Sequence, residues 1–298
     1  MKIERLKHNP KIGLNAESEV SIKETGNQTE VKYSIRNAGG NIIKIDKDHY
    51  YTIKDGEVKE FNHNAITRKD NKSSVKRTMK NLRDIINTNI TDYKKILFIT
   101  LTYKENMTDT KQLYEDVKLF HKKLKKYLIK ENLPSDFEFI STIEVQRRGA
   151  YHIHDLIIWK TKAPFINNDF ISKELWDNKG FTKTKSLKNV DNIGMYLTAY
   201  LTDLDLNEDM ERLTGKKVAK AIVKGARLKL YPKGVRIYRC SRGIKRPITY
   251  KTTEEEAQKI VSNSTLVYEK TLRIANCEDK TINIINYRNY NRISKKKK

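Results

Sequence analysis

The sequence predicts an α+β protein in which helices pack mainly on one face of an antiparallel sheet. Three observations lead there. Ile96-Leu-Phe-Ile-Thr-Leu-Thr-Tyr103 is β-branched and aromatic throughout, the mark of a buried strand. Two further strand-like runs, residues 137–146 and 151–159, are separated only by Arg147-Arg148-Gly149-Ala150. Helical stripes stand between and after these strands without strict βαβ repetition.

Residues 1 to about 75 are polar and alternate as strands do, as in Glu30-Val-Lys-Tyr-Ser-Ile35. Gly39-Gly40 reads as a turn into Asn41-Ile-Ile-Lys-Ile45. Ser74 is placed to cap a helix whose Val75, Met79, Leu82, Ile85 and Ile86 recur at helical spacing, with Lys76, Arg77, Lys80 and Arg83 on its other faces. A helix over 110–131 carries the stripe Leu113, Val117, Phe120, Leu124, Tyr127 and Leu128 and a lysine-rich opposite face. Helices are expected over 189–204 and, more weakly, 208–226. A strand is expected over 234–239, and Thr253-Glu-Glu-Glu256 has a capping-box pattern. The chain is therefore expected to divide into a basic strand-rich region with a linking helix (1–88), a central domain (89–250) and a C-terminal extension with a basic tail (251–298). No repeat of 20–50 residues is visible.

Composition narrows the function. Sixty-one Lys and Arg stand against 37 Asp and Glu, a net charge of +24, and this field selects polyanionic partners. No apolar run approaches the ~20 residues of a membrane span, and the first residues lack the apolar core of a secretory signal. Two cysteines are too few for a disulfide scaffold or a cysteine-based zinc site. The absence of GxxxxGK[ST] argues against an ATP-driven motor. A soluble protein of a reducing interior is expected, with no membrane partner.

The segment Glu144-Val-Gln-Arg-Arg-Gly-Ala-Tyr-His152-Ile-His154 carries the chemistry. In a strand, His152 and His154 project on one side with Ile153 opposite. If Arg147-Arg148-Gly149 forms a three-residue hairpin loop with Gly149 at positive φ, Gln146 faces Ala150 and Glu144 faces His152. Phe139, Ile143 and Val145 then alternate onto the other face. A two-residue loop would put Glu144 on the wrong side. Two imidazoles and a carboxylate with open positions suit Mn2+ or Zn2+, and Mg2+ less naturally. A bare His-Ile-His more often marks two satisfied polar residues in a half-buried strand; the phased carboxylate and the adjoining arginine pair bring the two readings level.

Downstream, Ile193-Gly-Met-Tyr196-Leu-Thr-Ala-Tyr200-Leu201 puts two tyrosines on one helix face, a turn apart. Ile193, Leu197, Leu201 and Leu204 form the neighbouring apolar stripe. A phenol is a poor nucleophile near neutral pH unless assisted. A metal at Glu144, His152 and His154 would withdraw charge from a phosphodiester and let a tyrosine oxygen displace the 3′-oxygen, leaving a 5′-phosphotyrosyl link.

His-hydrophobic-His, the upstream Phe98-Ile-Thr-Leu-Thr-Tyr103 strand and Tyr-x-x-x-Tyr downstream together resemble, in order and spacing over about residues 96–204, the three motifs of HUH endonucleases. The resemblance is nearest to the rolling-circle replication initiators of phages and Gram-positive plasmids. It implies an HUH fold, a central five-stranded antiparallel sheet with flanking helices, and a site-specific DNA nickase and transesterase. His152, His154 and Glu144 become the metal ligands, Tyr196 and Tyr200 the nucleophiles, and Mn2+ or Mg2+ the ion in function. Implied partners are single-stranded and origin duplex DNA with a host helicase and polymerase, in a bacterial cytoplasm. Many relatives carry a lysine three residues after a motif tyrosine, where this chain has Ala199 and Asp203. A relaxase or transposase would share the chemistry, and a basic DNA-binding protein would share only the charge.

Arg147 and Arg148, at the hairpin tip beside the proposed metal, are candidate contacts to the scissile strand. Lys122, Lys123, Lys125 and Lys126 read as a solvated helix face, and His121 as structural. Tyr287-Arg-Asn-Tyr-Asn-Arg292 interleaves aromatic and basic residues as single-strand binders do, although an edge strand with a tail accounts for it too. Binding to DNA is expected to weaken steeply with salt.

Overall fold

The computed structural model describes residues 2–6, 13–36, 42–52, 56–61, 63–64, 66–67, 70, 72–188, 190, 192–205, 222–223, 226–275 and 277–293. In chain order the strands are β1 (Lys2–Leu6), β2 (Glu19–Thr25), β3 (Gln28–Ser34), β4 (Ile42–Lys44), β5 (His49–Thr52) and β6 (Glu57–Glu60). Helix α1 (Lys72–Asn89) leads to β7 (Ile96–Leu101), α2 (Thr110–Lys130), β8 (Phe137–Val145) and β9 (Tyr151–Trp159). A short helix α3 (Asn168–Phe170) runs into a π turn, followed by β10 (Thr182–Lys185) and α4 (Ile193–Thr202). The pair β11 (Leu204–Asp205) and β12 (Ile222–Val223) precedes β13 (Tyr238–Cys240), β14 (Ile248–Thr253), α5 (Glu254–Val261), β15 (Thr265–Ala275) and β16 (Thr281–Asn291). The expected Gly39-Gly40 turn and most of the expected 208–226 helix lie outside the described residues.

The chain forms two compact units, residues 1–65 with 247–298, and 66–246. This differs from the three consecutive segments expected. The two ends of the chain share one sheet, ordered β1-β15-β16-β3-β2-β14, because β16 pairs antiparallel with β3. Helix α1 belongs to the middle unit rather than linking to it.

In the unit built from the chain ends, Val20, Ile22 and Val31 pack against Ala257 and Val261 of α5. Thr253 caps that helix by accepting from the Glu256 N–H. The expected edge strand near the C-terminus is instead the inner strand β16. Its period-2 alternation splits the aromatic-basic run. Arg288 turns inward to a two-pronged pair with Glu254, at 2.5 and 2.6 Å, and Tyr290 joins the core. Tyr287 stands on the opposite face with Lys32 5.7 Å from its ring. The interleaving therefore does not present a continuous stacking surface.

The middle unit is built on a five-stranded sheet ordered β10-β7-β9-β8-β13, antiparallel at every pairing. Residues opposite one another in such pairs share a face. Lys183, Thr100, His154 and Thr142 therefore lie in one row on one face, and Lys185, Phe98, Leu156 and Ile140 in the next. The other face bears Phe139, Ser141, Ile153 and Asp155.

Helix α2, capped by Asp109, covers this second face. Its His121 stacks on Phe139 with ring centres 3.9 Å apart, and Phe120 meets Trp176. Helix α4 lies over the first face, where Tyr196 reaches Lys185 of β10. Helices thus cover both faces, not mainly one as the sequence led us to expect. Strand β13 is only three residues long, shorter than the 234–239 strand anticipated. No described helix is long and apolar enough to cross a membrane.

Helix α4 crosses α1 at Gly194. A Cβ there would stand 2.5 Å from the Arg83 carbonyl oxygen and 2.8 Å from Asn87 Oδ1. The Gly194 N–H donates to Asn87 Oδ1 (2.9 Å), and Asn87 Nδ2 donates to Asn192, the α4 cap. The crossing holds Tyr196 one turn into a fixed helix. Trp159 and Trp176, the two tryptophans of the chain, both lie in this unit, so their fluorescence reports its unfolding. Gly194→Ala is expected to destabilise it by about 1–3 kcal/mol, read from urea denaturation.

Candidate functional site

The hairpin between β8 and β9 sets the site. Gln146 N donates to Ala150 O at 2.8 Å, Gly149 N to Gln146 O at 2.9 Å, and Gly149 sits at φ 85°. Residues 147–149 are therefore the loop, and Glu144 stands opposite His152 with Thr142 opposite His154. Arg147 and Arg148 lie exposed at the tip, and Arg148 Nε donates to Gln146 Oε1 at 3.1 Å. Gln146 in turn places its amide nitrogen 3.1 Å from His152 Nδ1. Burial pushes the His152 pKa down to about 4, against the pull of Glu144, so this ring is neutral near pH 7.

Glu144 is 6 % exposed and makes two charged contacts. Its Oε2 accepts from His154 Nε2, and its Oε1 pairs with Arg227 Nη1 at 2.8 Å. Burial alone would raise its pKa. The His154 hydrogen bond and the charges of His154 and Arg227 outweigh that and hold it below the usual carboxylate range. His154, also buried, turns its Nδ1 to the Thr100 hydroxyl, 3.1 Å away.

Sequence reading missed Arg227. It is 4 % exposed and bonds the Val145 carbonyl through Nη1 (2.9 Å) and the Asp203 carbonyl through Nε (3.0 Å). One guanidinium thus joins the end of β8 to the cap of the tyrosine helix. No local pattern marks it, because Glu144 is 83 residues away in sequence.

The sequence brings Glu144, His152 and His154 together, as the register shows, yet their present contacts do not make a metal site. A ring nitrogen that donates its proton to a carboxylate has no lone pair for an ion, and Glu144 is already balanced by Arg227. Among the described residues no group of three or more His, Cys, Asp or Glu is arranged to hold a metal.

The tyrosine helix lies over the same sheet face. The Tyr196 hydroxyl touches the Lys185 ammonium, which also stands 5.1 Å from its ring centre. Lys185 is opposite Phe98, whose ring centre is 5.8 Å from that of His154. Two strand spacings, about 10 Å, separate the β10 and β9 backbones. Lys185 is a second residue that the sequence did not single out. It brings a basic group to the tyrosine, where Ala199 and Asp203 bring none, from a strand eleven residues upstream. The Tyr200 side chain lies outside the described residues.

Two other tyrosines of this unit are differently placed. Tyr231 is fully buried with its hydroxyl donating to Ile143 O, and Tyr103 donates to Asp116. Burial raises both pKa values well above that of a free phenol, which removes them as nucleophiles.

Residues 96–205, from the first residue of β7 through β11, match a family model for replication-associated proteins of the ORF2 type. The similarity is to proteins associated with replication. It covers the motif strand, both histidines and both tyrosines. No curated protein and no solved structure matches the chain.

Removing one partner of a buried ion pair strands the other charge. Arg227→Met is therefore expected to cost about 3–5 kcal/mol in tryptophan-monitored urea denaturation. Adding Glu144→Gln to that variant should recover part of the loss, because the carboxylate left without its guanidinium is then removed.

Proposed function

We propose that this chain is a site-specific DNA nickase and strand transferase that initiates rolling-circle replication, with Tyr196 as its nucleophile. One observation carries the reading: within the segment similar to replication-associated proteins, a lysine ammonium rests on the hydroxyl of Tyr196, on the helix over the face of the paired histidines. An ammonium at that oxygen favours the phenolate and offsets the charge of an approaching phosphate.

In the step proposed, Tyr196 Oη forms a bond to the phosphorus of a DNA phosphodiester as the bond from phosphorus to the 3′-oxygen breaks. The phenolic proton passes to water and the released 3′-oxygen takes one up. One phosphodiester is exchanged for another, so a 3′-hydroxyl can later reverse the step. Arg147 and Arg148, exposed at the hairpin tip, suit contact with the strand. Glu144, His152 and His154 remain the residues a divalent ion, Mn2+ or Mg2+, would use, and binding one requires the Glu144–His154 contact to open. Host helicase and polymerase belong to the same proposal, since the chain carries no phosphate-loop motor motif.

The test uses labelled single-stranded oligonucleotides from the flanking DNA, with Mn2+, Mg2+ or chelator, resolved on denaturing gels. A covalent protein–DNA adduct is expected from the wild type and from Tyr200→Phe, but not from Tyr196→Phe. Lys185→Met should slow adduct formation by about 100-fold and move its pH profile upward, because the phenol loses its ammonium. Tight binding without an adduct under any condition would favour a non-catalytic DNA-binding protein. A nick at a transfer or mobile-element end instead of a replication origin would favour the relaxase or transposase reading.

A further inference from the structure

On the sheet face away from Tyr196, a cavity of about 320 Å3 opens between α2 and the strands β8 and β13. That volume is at the lower end of the range for small-molecule sites. Its interior is apolar and aromatic, formed by Val117, Phe139, Ile143 and Ile153. Its inner wall is fixed by a buried polar array. Asp155, fully buried, pairs with His121 Nε2 and accepts from Ser141 Oγ, each at 2.6 Å. His121 is held in turn against Phe139. A wall so braced does not collapse into the space beside it.

The mouth is cationic. Arg236, Arg239 and Lys118 border it. The one carboxylate among the lining residues, Glu115, is 3.3 Å from Lys118. Among the described residues neither Arg236 nor Arg239 forms an ion pair. Tyr114 holds the Arg239 side chain and the Arg236 backbone. Its ring lies 3.3 Å beneath the Arg239 guanidinium carbon, and its hydroxyl donates to the Arg236 carbonyl at 3.0 Å. Two unneutralised guanidinium groups at the mouth of an apolar, aromatic recess, one of them held on a tyrosine ring, suit a ligand with a flat apolar body and a phosphate.

We propose that this cavity is a deoxynucleotide site, taking the base against Phe139 and the phosphate on Arg236 and Arg239. The nucleotide comes either free or as one unit of a bound strand. A nucleoside fits the recess, whereas the extended chain of a lipid would not be enclosed by it. The proposal does not depend on the nicking reaction, since no residue of that face takes part in it.

Isothermal titration of the full chain with the four deoxynucleoside monophosphates, inorganic phosphate and deoxyadenosine tests it. At least one monophosphate should bind one to one, with deoxyadenosine and phosphate each weaker by tenfold or more. Arg236→Ala/Arg239→Ala, at exposed positions, should weaken the monophosphate by tenfold or more. Lys122→Ala/Lys126→Ala removes the same charge from exposed positions of α2 outside the cavity and should not. If no monophosphate binds, an oligonucleotide decides. Affinity lost in the arginine variant alone, together with a drop when one nucleotide is made abasic, assigns the site to a unit of the strand. Equal losses in the two variants, no abasic-sensitive position, or monophosphate binding untouched by the arginine change would overturn the proposal.

Discussion

A carboxylate taken almost wholly out of water must be matched by positive charge or hydrogen bonds, and the one that ties the candidate site together is Glu144. It draws His154 from the neighbouring strand and Arg227 from more than eighty residues downstream. Two further donors of Arg227 reach the end of β8 and the cap of α4. The helix that carries Tyr196 is thereby tied to the hairpin that carries both histidines. At its other end the same helix is fixed by Asn87 and by the close crossing at Gly194. The relation of the tyrosine to the histidine face is set by these two anchors.

That balance has a consequence for metal binding. The donor types are those a divalent ion accepts, but their electrostatics are already closed within the protein. An incoming cation competes with a guanidinium and with the His154 N–H that Glu144 accepts. The neutral ring of His152, kept so by burial, is the group least committed to another charge. The two faces of the sheet differ in kind. Both hold buried carboxylates that are internally paired, but only the second has exposed guanidinium groups at the mouth of a recess.

How much of this was legible in the sequence depended on the distance over which the pattern acts. The hairpin register followed from local information: a glycine three residues beyond Gln146, alternation on either side, and a parity rule that allowed one loop length. Strand β7 followed from its β-branched and aromatic run, helix α2 from its periodicity, and α4 from its apolar stripe. Arg227 and Lys185 were not legible, because each meets its partner through tertiary packing and neither sits in a pattern of its own. Asp155 was hidden beside His154, since nothing in the sequence said that the opposite face would be sealed by a helix carrying His121. The shared sheet of the two chain ends rests on pairing between β3 and β16, some 250 residues apart, which no local signal can convey. The tail's aromatic-basic run misled for a related reason: an inner strand sends alternate residues to opposite faces, so neighbours in sequence do not form one surface.

The most direct test of the central claim is to locate the covalent bond itself. Wild-type protein would be reacted with single-stranded DNA, digested with nuclease and trypsin, and the peptide spanning residues 189–212 fragmented by mass spectrometry. Both tyrosines lie in that one peptide, so fragment masses assign the nucleotide without any substitution. A nucleotide remnant on Tyr196 is the predicted result. A remnant on Tyr200 or elsewhere, or none from protein that has cleaved its DNA, would contradict the account.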